Sequence, residues 1–240
     1  MTRIALVTGG SGGIGAAICR ALSADGHHVL VGYGGNAEAA EKVAADCQGD
    51  AEAVRIDVTD EASVAAAVQR ATELGTLAVV VNNAGVADDD LLLRLDPARF
   101  DRTVEVNLRG AYLVSRAAMR PMLRARFGRI VSVASVVALR GNVGQTAYAA
   151  SKAGLIGFSK SLAREVGRKG VTVNVVAPGF VATAMTDALG DEAREALLAQ
   201  APTGRPVEAD EVAATVAFLA SEAAGSITGA VVPVDGGAGI

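Results

Sequence analysis

Tyr148 and Lys152 stand four residues apart in a stretch of helical period, so both side chains project from one face of a helix. A phenol, with a pKa of about 10, exchanges protons poorly at neutral pH, and a neighbouring ammonium favours its ionised form. A shift of about three units corresponds to roughly 4 kcal/mol of differential stabilisation, within reach of nearby positive charge in a partly dry site. Ser135 closes an apolar run ahead of that helix and supplies a hydroxyl that can polarise the same substrate oxygen. The three make a proton donor for a carbonyl oxygen. Taken alone, a Tyr and a Lys at this spacing are equally an ordinary surface pair, and the rest of the chain has to decide between the two.

The decision begins at Thr8-Gly9-Gly10-Ser11-Gly12-Gly13-Ile14-Gly15, which follows a first apolar run and opens a helical segment. Glycines there let the backbone turn tightly and approach a pyrophosphate, whose charge is met by amides at the helix start. Two registers fit: Gly10, Gly12 and Gly15 match G-x-G-x-x-G, and Gly9, Gly13 and Gly15 match T-G-x-x-x-G-x-G. Either predicts a nicotinamide dinucleotide, which carries the hydride and whose cationic oxidised ring adds to Lys152 in favouring the phenolate. The end of the second strand reads Val31-Gly32-Tyr33-Gly34-Gly35-Asn36, with no acid before Glu38. An acid there would repel a 2′-phosphate, so its absence predicts NADP(H), with backbone amides and Asn36 facing the phosphate.

These residues need a scaffold that brings strand ends together. Runs at Arg3–Thr8, His28–Val31, Glu52–Ile56, Ala78–Asn82, Gly128–Ala134, Thr172–Ala177 and Ala230–Val234 read as strands. Between them Gly13–Asp25, Asp60–Leu74, Asp101–Arg124 and Tyr148–Arg168 carry apolar residues at helical spacing. The strand centres show little polar alternation, as expected when helices cover both faces. The pattern predicts one α/β domain over residues 1–240, a doubly wound Rossmann-type, mostly parallel seven-stranded sheet with ligands at the carboxyl ends of its strands. Residues 179–208, broken by Gly190, Pro202, Gly204 and Pro206, read as a mobile substrate lid. The 240 residues are 51% apolar and 20% charged with net charge -4, which suits a sizeable core and argues against a generic grip on nucleic acid. Mean hydropathy is +0.36, yet the longest clean apolar run, Leu77 to Val81, is far short of the roughly 20 residues of a membrane span. With no leader pattern and with Cys19 and Cys47 outside any metal or disulfide framework, a cytoplasmic protein holding reduced thiols and no metal is expected.

With Asn82-Asn83-Ala84-Gly85 after the fourth strand and Pro178-Gly179 after the sixth, the chain resembles the short-chain dehydrogenase/reductase family from Ile4 to Gly237. Within it, Asp88–Leu95, Gly141–Glu165 and Val171–Thr186 look like the 3-oxoacyl-[acyl-carrier-protein] reductases. That resemblance implies an NADPH-dependent ketoreductase acting on a 3-oxoacyl thioester, with Asn107, Ser135, Tyr148 and Lys152 carrying catalysis. Asn107 would hold a water that connects Lys152 to solvent. Asp57 and Val58 would flank the adenine, Asn83, Ala84 and Gly85 the ribose and strand end, and Pro178, Gly179, Val181 and Thr183 the nicotinamide side. Departures include Gly12 where many such reductases carry arginine, Ser151 in place of a common alanine, and Ala182 and Ala184 in place of acids. A ketoreductase of polyketide or polyene intermediates, or a dehydrogenase of free ketones or alcohols, shares nearly all of these features.

A hydrolase built on Ser135 lacks a suitable histidine, because His27 and His28 begin the second strand, away from its carboxyl end. A dinucleotide-sensing protein without chemistry would have little reason to keep all four catalytic residue types. Gly154, Leu155, Gly157, Phe158, Ser161 and Leu162 lie on the helix that pairs subunits in the family, which implies a homotetramer. Arg129, Arg168 and Lys169 are candidates for a patch that docks the acidic helix of an acyl carrier protein, with helix-end cations on a solvated face as the alternative.

Overall fold

The computed structural model describes residues 2–182 and 199–239. Seven parallel strands form one sheet in the order β3-β2-β1-β4-β5-β6-β7. They are β1 (Arg3–Val7), β2 (His28–Tyr33), β3 (Ala51–Arg55), β4 (Thr76–Asn82), β5 (Gly128–Val133), β6 (Val171–Pro178) and β7 (Val231–Val234). The helices among the described residues, numbered here in chain order, are α1 (Gly13–Ala24), α2 (Ala37–Ala45), α3 (Glu61–Leu74), α4 (Pro97–Val104), α5 (Gly110–Ala125), α6 (Val137–Arg140), α7 (Thr146–Val166) and α8 (Ala209–Ala220).

Alternation along each strand sorts the core into two layers. Ala5, Val7, Val29, Val31, Val79 and Val81 face α1, α2 and α8, whereas Ile4, Leu6, Leu30, Leu77, Val80 and Ile130 face α3, α5 and α7. Both faces are therefore apolar, which is why the strands show no polar alternation in sequence. The caps that start the helices are local: Asp60 accepts from the amides of Ala62 and Ser63, and Asp96 from that of Ala98.

The long helix expected over Asp101–Arg124 is divided. A π-helical turn, Glu105–Arg109, separates α4 from α5, and Asn107 is buried inside it. The Asn107 carboxamide bonds both main-chain groups of Val86, and a Cβ on Gly110 would stand 2.8 Å from Val58 Cγ2. Such single π turns recur at functional sites because they redirect one side chain without ending the helix. The stretch read as a lid is described at its two ends alone, where Val181 and Val207 form an isolated parallel bridge. Residues 183–198, with Thr183 and Gly190, lie outside the described residues.

The glycine turn separates the two registers. Gly9 and Gly13 have φ of 63° and 53°, and a Cβ on Gly15 would lie 2.1 Å from the carbonyl oxygen of Gly9. Gly12 has an extended backbone with nothing within 4 Å of an added Cβ. The register is Gly9, Gly13, Gly15. Gly15→Ala is expected to lose about 3 kcal/mol of stability or fail to fold, because the clash is with backbone, whereas Gly12→Ala should stay within about 1 kcal/mol of wild type. Thermal denaturation of the two variants checks this; equal losses would contradict it.

Candidate active site

Strand order reverses between β1 and β4, and in a doubly wound sheet the connections diverge at such a point and leave a crevice at the carboxyl edge. A cleft of about 370 Å³ lies there, lined by Gly9, Gly12 to Gly15, Asn83 to Gly85, Val133 to Ser135, Tyr148, Lys152, Pro178, Gly179 and Val181. Helix α1 has no side-chain cap, so its first-turn amides have no acceptor from Gly12 and are placed for an anion in the cleft. This donor set, with a turn that admits no Cβ at Gly15, fits a dinucleotide pyrophosphate.

Not every residue expected to bind cofactor lines this cleft. Gly10 is turned inward, its amide on the Gly32 carbonyl and its Cα against Cys19 and Val31. Ser11 and the pair Asp57 and Val58 also lie outside the lining. Val58 is buried in the core, and Asp57 Oδ1 accepts from the amide and hydroxyl of Thr59, which hold its carboxyl below the usual range. Asn83 works on the turn itself: its Nδ2 donates to the carbonyls of Thr8 (3.0 Å) and Gly9 (2.9 Å). Thr8 is a site residue that motif reading passed over. Its Oγ1 donates to the Val81 carbonyl and accepts from the amides of Asn83 and Ala84, latching β1 to the end of β4. The T before the first glycine is the only sequence signal for that role.

Ser135, Tyr148 and Lys152 converge because α6 returns the chain from the end of β5 to the start of α7. Lys152 is buried, and its Nζ donates to the Val133 carbonyl at 2.8 Å and stands 5.7 Å from the centre of the Tyr148 ring. Burial pushes the ammonium down to about 8. The Tyr148 phenol is raised, first by desolvation and then by Asp89, while its hydrogen bond with Ser135 acts the other way. Lys152 is not among the causes of that shift: its ammonium is bound to the Val133 carbonyl, and desolvation of the phenol dominates. A raised phenol stays protonated at neutral pH, the form that gives up a proton.

The Asn107 Oδ1 accepts from Val86 N at 2.8 Å, and its Nδ2 donates to Val86 O at 2.9 Å and to Ser151 Oγ at 3.0 Å. Both donors are engaged with protein, so the side chain braces the site, while its oxygen keeps a second lone pair. Ser151 completes the brace by donating to the Tyr148 carbonyl at 2.8 Å. Between these parts runs Gly85, where a Cβ would meet Asn107 Oδ1 at 3.2 Å and Lys152 Nζ at 3.3 Å.

A second cavity of about 400 Å³ shares Ser135, Tyr148, Gly179 and Val181 with the first. Its wall is largely apolar, through Val136, Val137, Phe180 and Val207, with Asp89, Arg140, Asn142 and Gln145 among its polar members. Gln145 Nε2 donates to Asp89 Oδ2 at 2.6 Å and Gln145 Oε1 accepts from Asn142 at 2.8 Å, tying the loop after β4 to the start of α7. No motif announces this cavity, because its wall comes from separate segments that include Asp235 and Ala238 near the C-terminus.

Residues 9–239 match the family model described as Enoyl-(Acyl carrier protein) reductase. The chain belongs to the short-chain dehydrogenase/reductase family. Among relatives in this family, the 3-oxoacyl-[acyl-carrier-protein] reductase FabG of Escherichia coli K12 is 47% identical over 236 residues, 98% of this chain and 96% of that protein. The protein of the same name from Staphylococcus aureus Mu50 is 44% identical over 241 residues, 99% and 98% of the two chains. A crystal structure of a proposed gluconate dehydrogenase from Agrobacterium tumefaciens superposes with a TM-score of 0.94 at 29% identity, covering 98% of this chain and 95% of that one. The doubly wound fold and the oxidoreductase class expected from sequence are those of this family.

The buried ammonium gives the site a pH signature. The folded pKa of Lys152, about 8, lies below its ordinary value of 10.5, so between these limits the unfolded chain binds more protons and stability rises with pH. The penalty is complete below about pH 8 and relieved by pH 10.5. In Lys152→Met the penalty is absent, so the difference in Tm between variant and wild type should move in favour of wild type from pH 7 to pH 10. Parallel Tm curves would mean that the ammonium is not desolvated.

Proposed function

We propose that this protein is an NADPH-dependent ketoreductase that reduces a 3-oxoacyl thioester, carried on an acyl carrier protein, to the 3-hydroxyacyl form. One observation carries the proposal: Ser135 and Tyr148 belong both to the cleft that fits a dinucleotide and to the apolar cavity beside it. An oxygen at that junction meets two hydroxyls. The bound dinucleotide supplies the hydride. Ser135 hydrogen-bonds the substrate oxygen and withdraws charge from its carbon, and Tyr148 passes its phenolic proton to that oxygen as negative charge develops. Lys152 places a positive charge beneath the phenol, which eases the phenolate left behind. Asn107 and Ser151 hold the first turns of α7 against the loop after β4, so the proton donor keeps its place.

Two hydroxyls converging on one oxygen suit a carbonyl, whose reduction puts the new proton on oxygen; reduction of an enoyl double bond puts it on carbon. The names of the relatives at 44–47% identity support the same choice. NADP(H) is favoured by the end of β2, where Gly34 and Gly35 are exposed and no acid precedes Glu38. Asn36 spends its Oδ1 on the Ala39 amide as the cap of α2, which leaves its Nδ2 for a 2′-phosphate. The family resemblance assigns Asp57 and Val58, after β3, to the adenine and Val181 and Thr183 to the nicotinamide amide.

The carrier-binding patch needs one correction. Arg129 is buried, stacked 4.2 Å over the Phe127 ring and bonded to the carbonyls of Ser221 and Gly128, so it cannot meet a partner. It sits on β5, where a side chain pointing away from the cleft end is covered by the chain around it. Arg168 and Lys169 are exposed after α7, with Arg126 beside them, since a Cβ on Gly170 would stand 2.2 Å from the Arg126 carbonyl. This group lies at the amino edge of the sheet, roughly 20 Å from Ser135 for strands of this length. Gly154, Leu155 and Leu162 pack within their own subunit and Phe158 is half-buried against the core beside Tyr112, leaving Gly157 and Ser161 as the outward part of the α7 face. The free thiols Cys19 and Cys47 suit the cytoplasm, and among the described residues no helix is long and apolar enough to cross a membrane.

The test is a substrate panel of 3-oxoacyl thioesters, enoyl thioesters and free ketones with NADPH and NADH. The 3-oxoacyl thioesters with NADPH should give the highest kcat/KM; preference for a free ketone moves the protein to the dehydrogenase reading, and an enoyl preference refutes the mechanism. Tyr148→Phe should lose at least a thousandfold in kcat while still binding NADPH by fluorescence titration, and a tenth of wild-type turnover would remove Tyr148 from the chemistry. The double variant Arg168→Glu, Lys169→Glu should lower kcat/KM about tenfold more for a carrier-bound substrate than for a short free thioester, with a weaker salt dependence. Equal losses on the two substrates would make the residues structural.

A further inference from the structure

Arg140 ends α6 at the wall of the second cavity, five residues after Ser135. It is exposed, and among the described residues no carboxylate and no hydrogen-bond acceptor engages its guanidinium. The other arginine of that wall is differently placed: Arg205 is clamped by both oxygens of Glu211 at 2.6 and 2.9 Å. Nearby, Arg94 and Arg99 are paired with Asp90, and Arg102 with Asp88. In a chain whose acids outnumber its bases, this cavity keeps one open cation at its rim. Leu139 and Val143 flank it with 45% and 84% of their surface exposed, and the intervening Gly141 has open space around it.

We propose that Arg140 binds the phosphate of the substrate's handle, the 4′-phosphopantetheine group common to carrier-bound thioesters and to coenzyme A. The proposal rests on the thioester reading of the substrate given above. A thioester of this kind has two unlike ends, an acyl chain that seeks the apolar wall and a phosphorylated arm that stays in solvent. Val136, Val137 and Phe180 supply the first environment and Arg140, with exposed Leu139 and Val143, the second. The four residues of α6 rise about 6 Å and the arginine side chain extends further from its end, so the cation lies out along the arm and away from the reacting oxygen. A guanidinium offers a planar fork of donors to phosphate oxygens, and an arginine with no competing carboxylate can give all of them.

The test compares wild type, Arg140→Gln and Arg140→Lys by calorimetric titration with 4′-phosphopantetheine and with pantetheine, and by kinetics on the 3-oxoacyl thioesters of both, of coenzyme A and of the carrier protein. Wild type should favour the phosphorylated handle about tenfold in Kd and in KM, Arg140→Gln should erase that preference, and Arg140→Lys should restore part of it. A preference that survives in Arg140→Gln, or none in wild type, overturns the assignment. Loss confined to the carrier-bound substrate also overturns it, because the contact would then be with acidic side chains of the carrier; equal loss on coenzyme A and carrier thioesters locates it on the shared arm. If the calorimetric preference behaves as expected while no thioester is reduced, the anion site stands and the functional reading fails.

Discussion

An ammonium group taken out of water must be held by what surrounds it, and the architecture of this site follows from how Lys152 is held. Its Nζ reaches the Val133 carbonyl at the end of β5, which fixes the rotation of α7 against the sheet. The first turn of that helix then has to pass close to the loop after β4, where a Cβ on Gly85 would crowd Asn107 Oδ1 and Lys152 Nζ. Asn107 fills the remaining polar gap from a π turn, bonding to Val86 and Ser151. Desolvation pushes the ammonium towards its neutral form, to about 8, and the cationic form that persists at neutral pH is costly and unshielded. That charge stands 5.7 Å from the centre of the Tyr148 ring.

The same economy of space governs the nucleotide cleft. Gly15 stands against the carbonyl of Gly9, and Asn83 bonds the carbonyls of Thr8 and Gly9, so the turn is built against β4 as well as against its own helix. Thr8 adds the reciprocal link through Val81, Asn83 and Ala84. The glycine turn and α7 are thus both referenced to the end of β4, one from each side. Their separation is held by short contacts rather than by a flexible loop.

The second cavity is assembled on other terms. Its polar side is a chain of neutral and acidic groups, Asn142, Gln145 and Asp89, and its apolar side comes from the segments after β5 and β6. Asp89 is close enough to Tyr148 to raise the phenol, so the wall of this cavity also bears on that hydroxyl. Acids in the loop after β4 hold Arg94, Arg99 and Arg102, and the cation left open in the wall is one that no neighbouring acid reaches.

The strands, their parallel arrangement and the convergence of Ser135, Tyr148 and Lys152 are legible in the sequence because they depend on local periodicity and on chemistry that few residue types can do. Strands His28–Tyr33 and Thr76–Asn82 end within two residues of where apolar runs stop. Tyr148 and Lys152 share a helix, so their spacing alone aligned them. The register of the glycine turn was not legible, since Gly9, Gly10, Gly12 and Gly13 look alike until φ and neighbouring backbone separate them. The break at Asn107 was hidden as well: residues 101–124 have helical period throughout, and the π turn carries a side chain bonded to Val86, 21 positions away in sequence. Burial of Arg129 beneath Ser221 and the state of the Tyr148 phenol were likewise decided only in three dimensions. Sequence determines which groups are present and which local element carries each one; charge state, exposure and partner depend on desolvation and contacts between distant segments, which come into being only when the chain has packed.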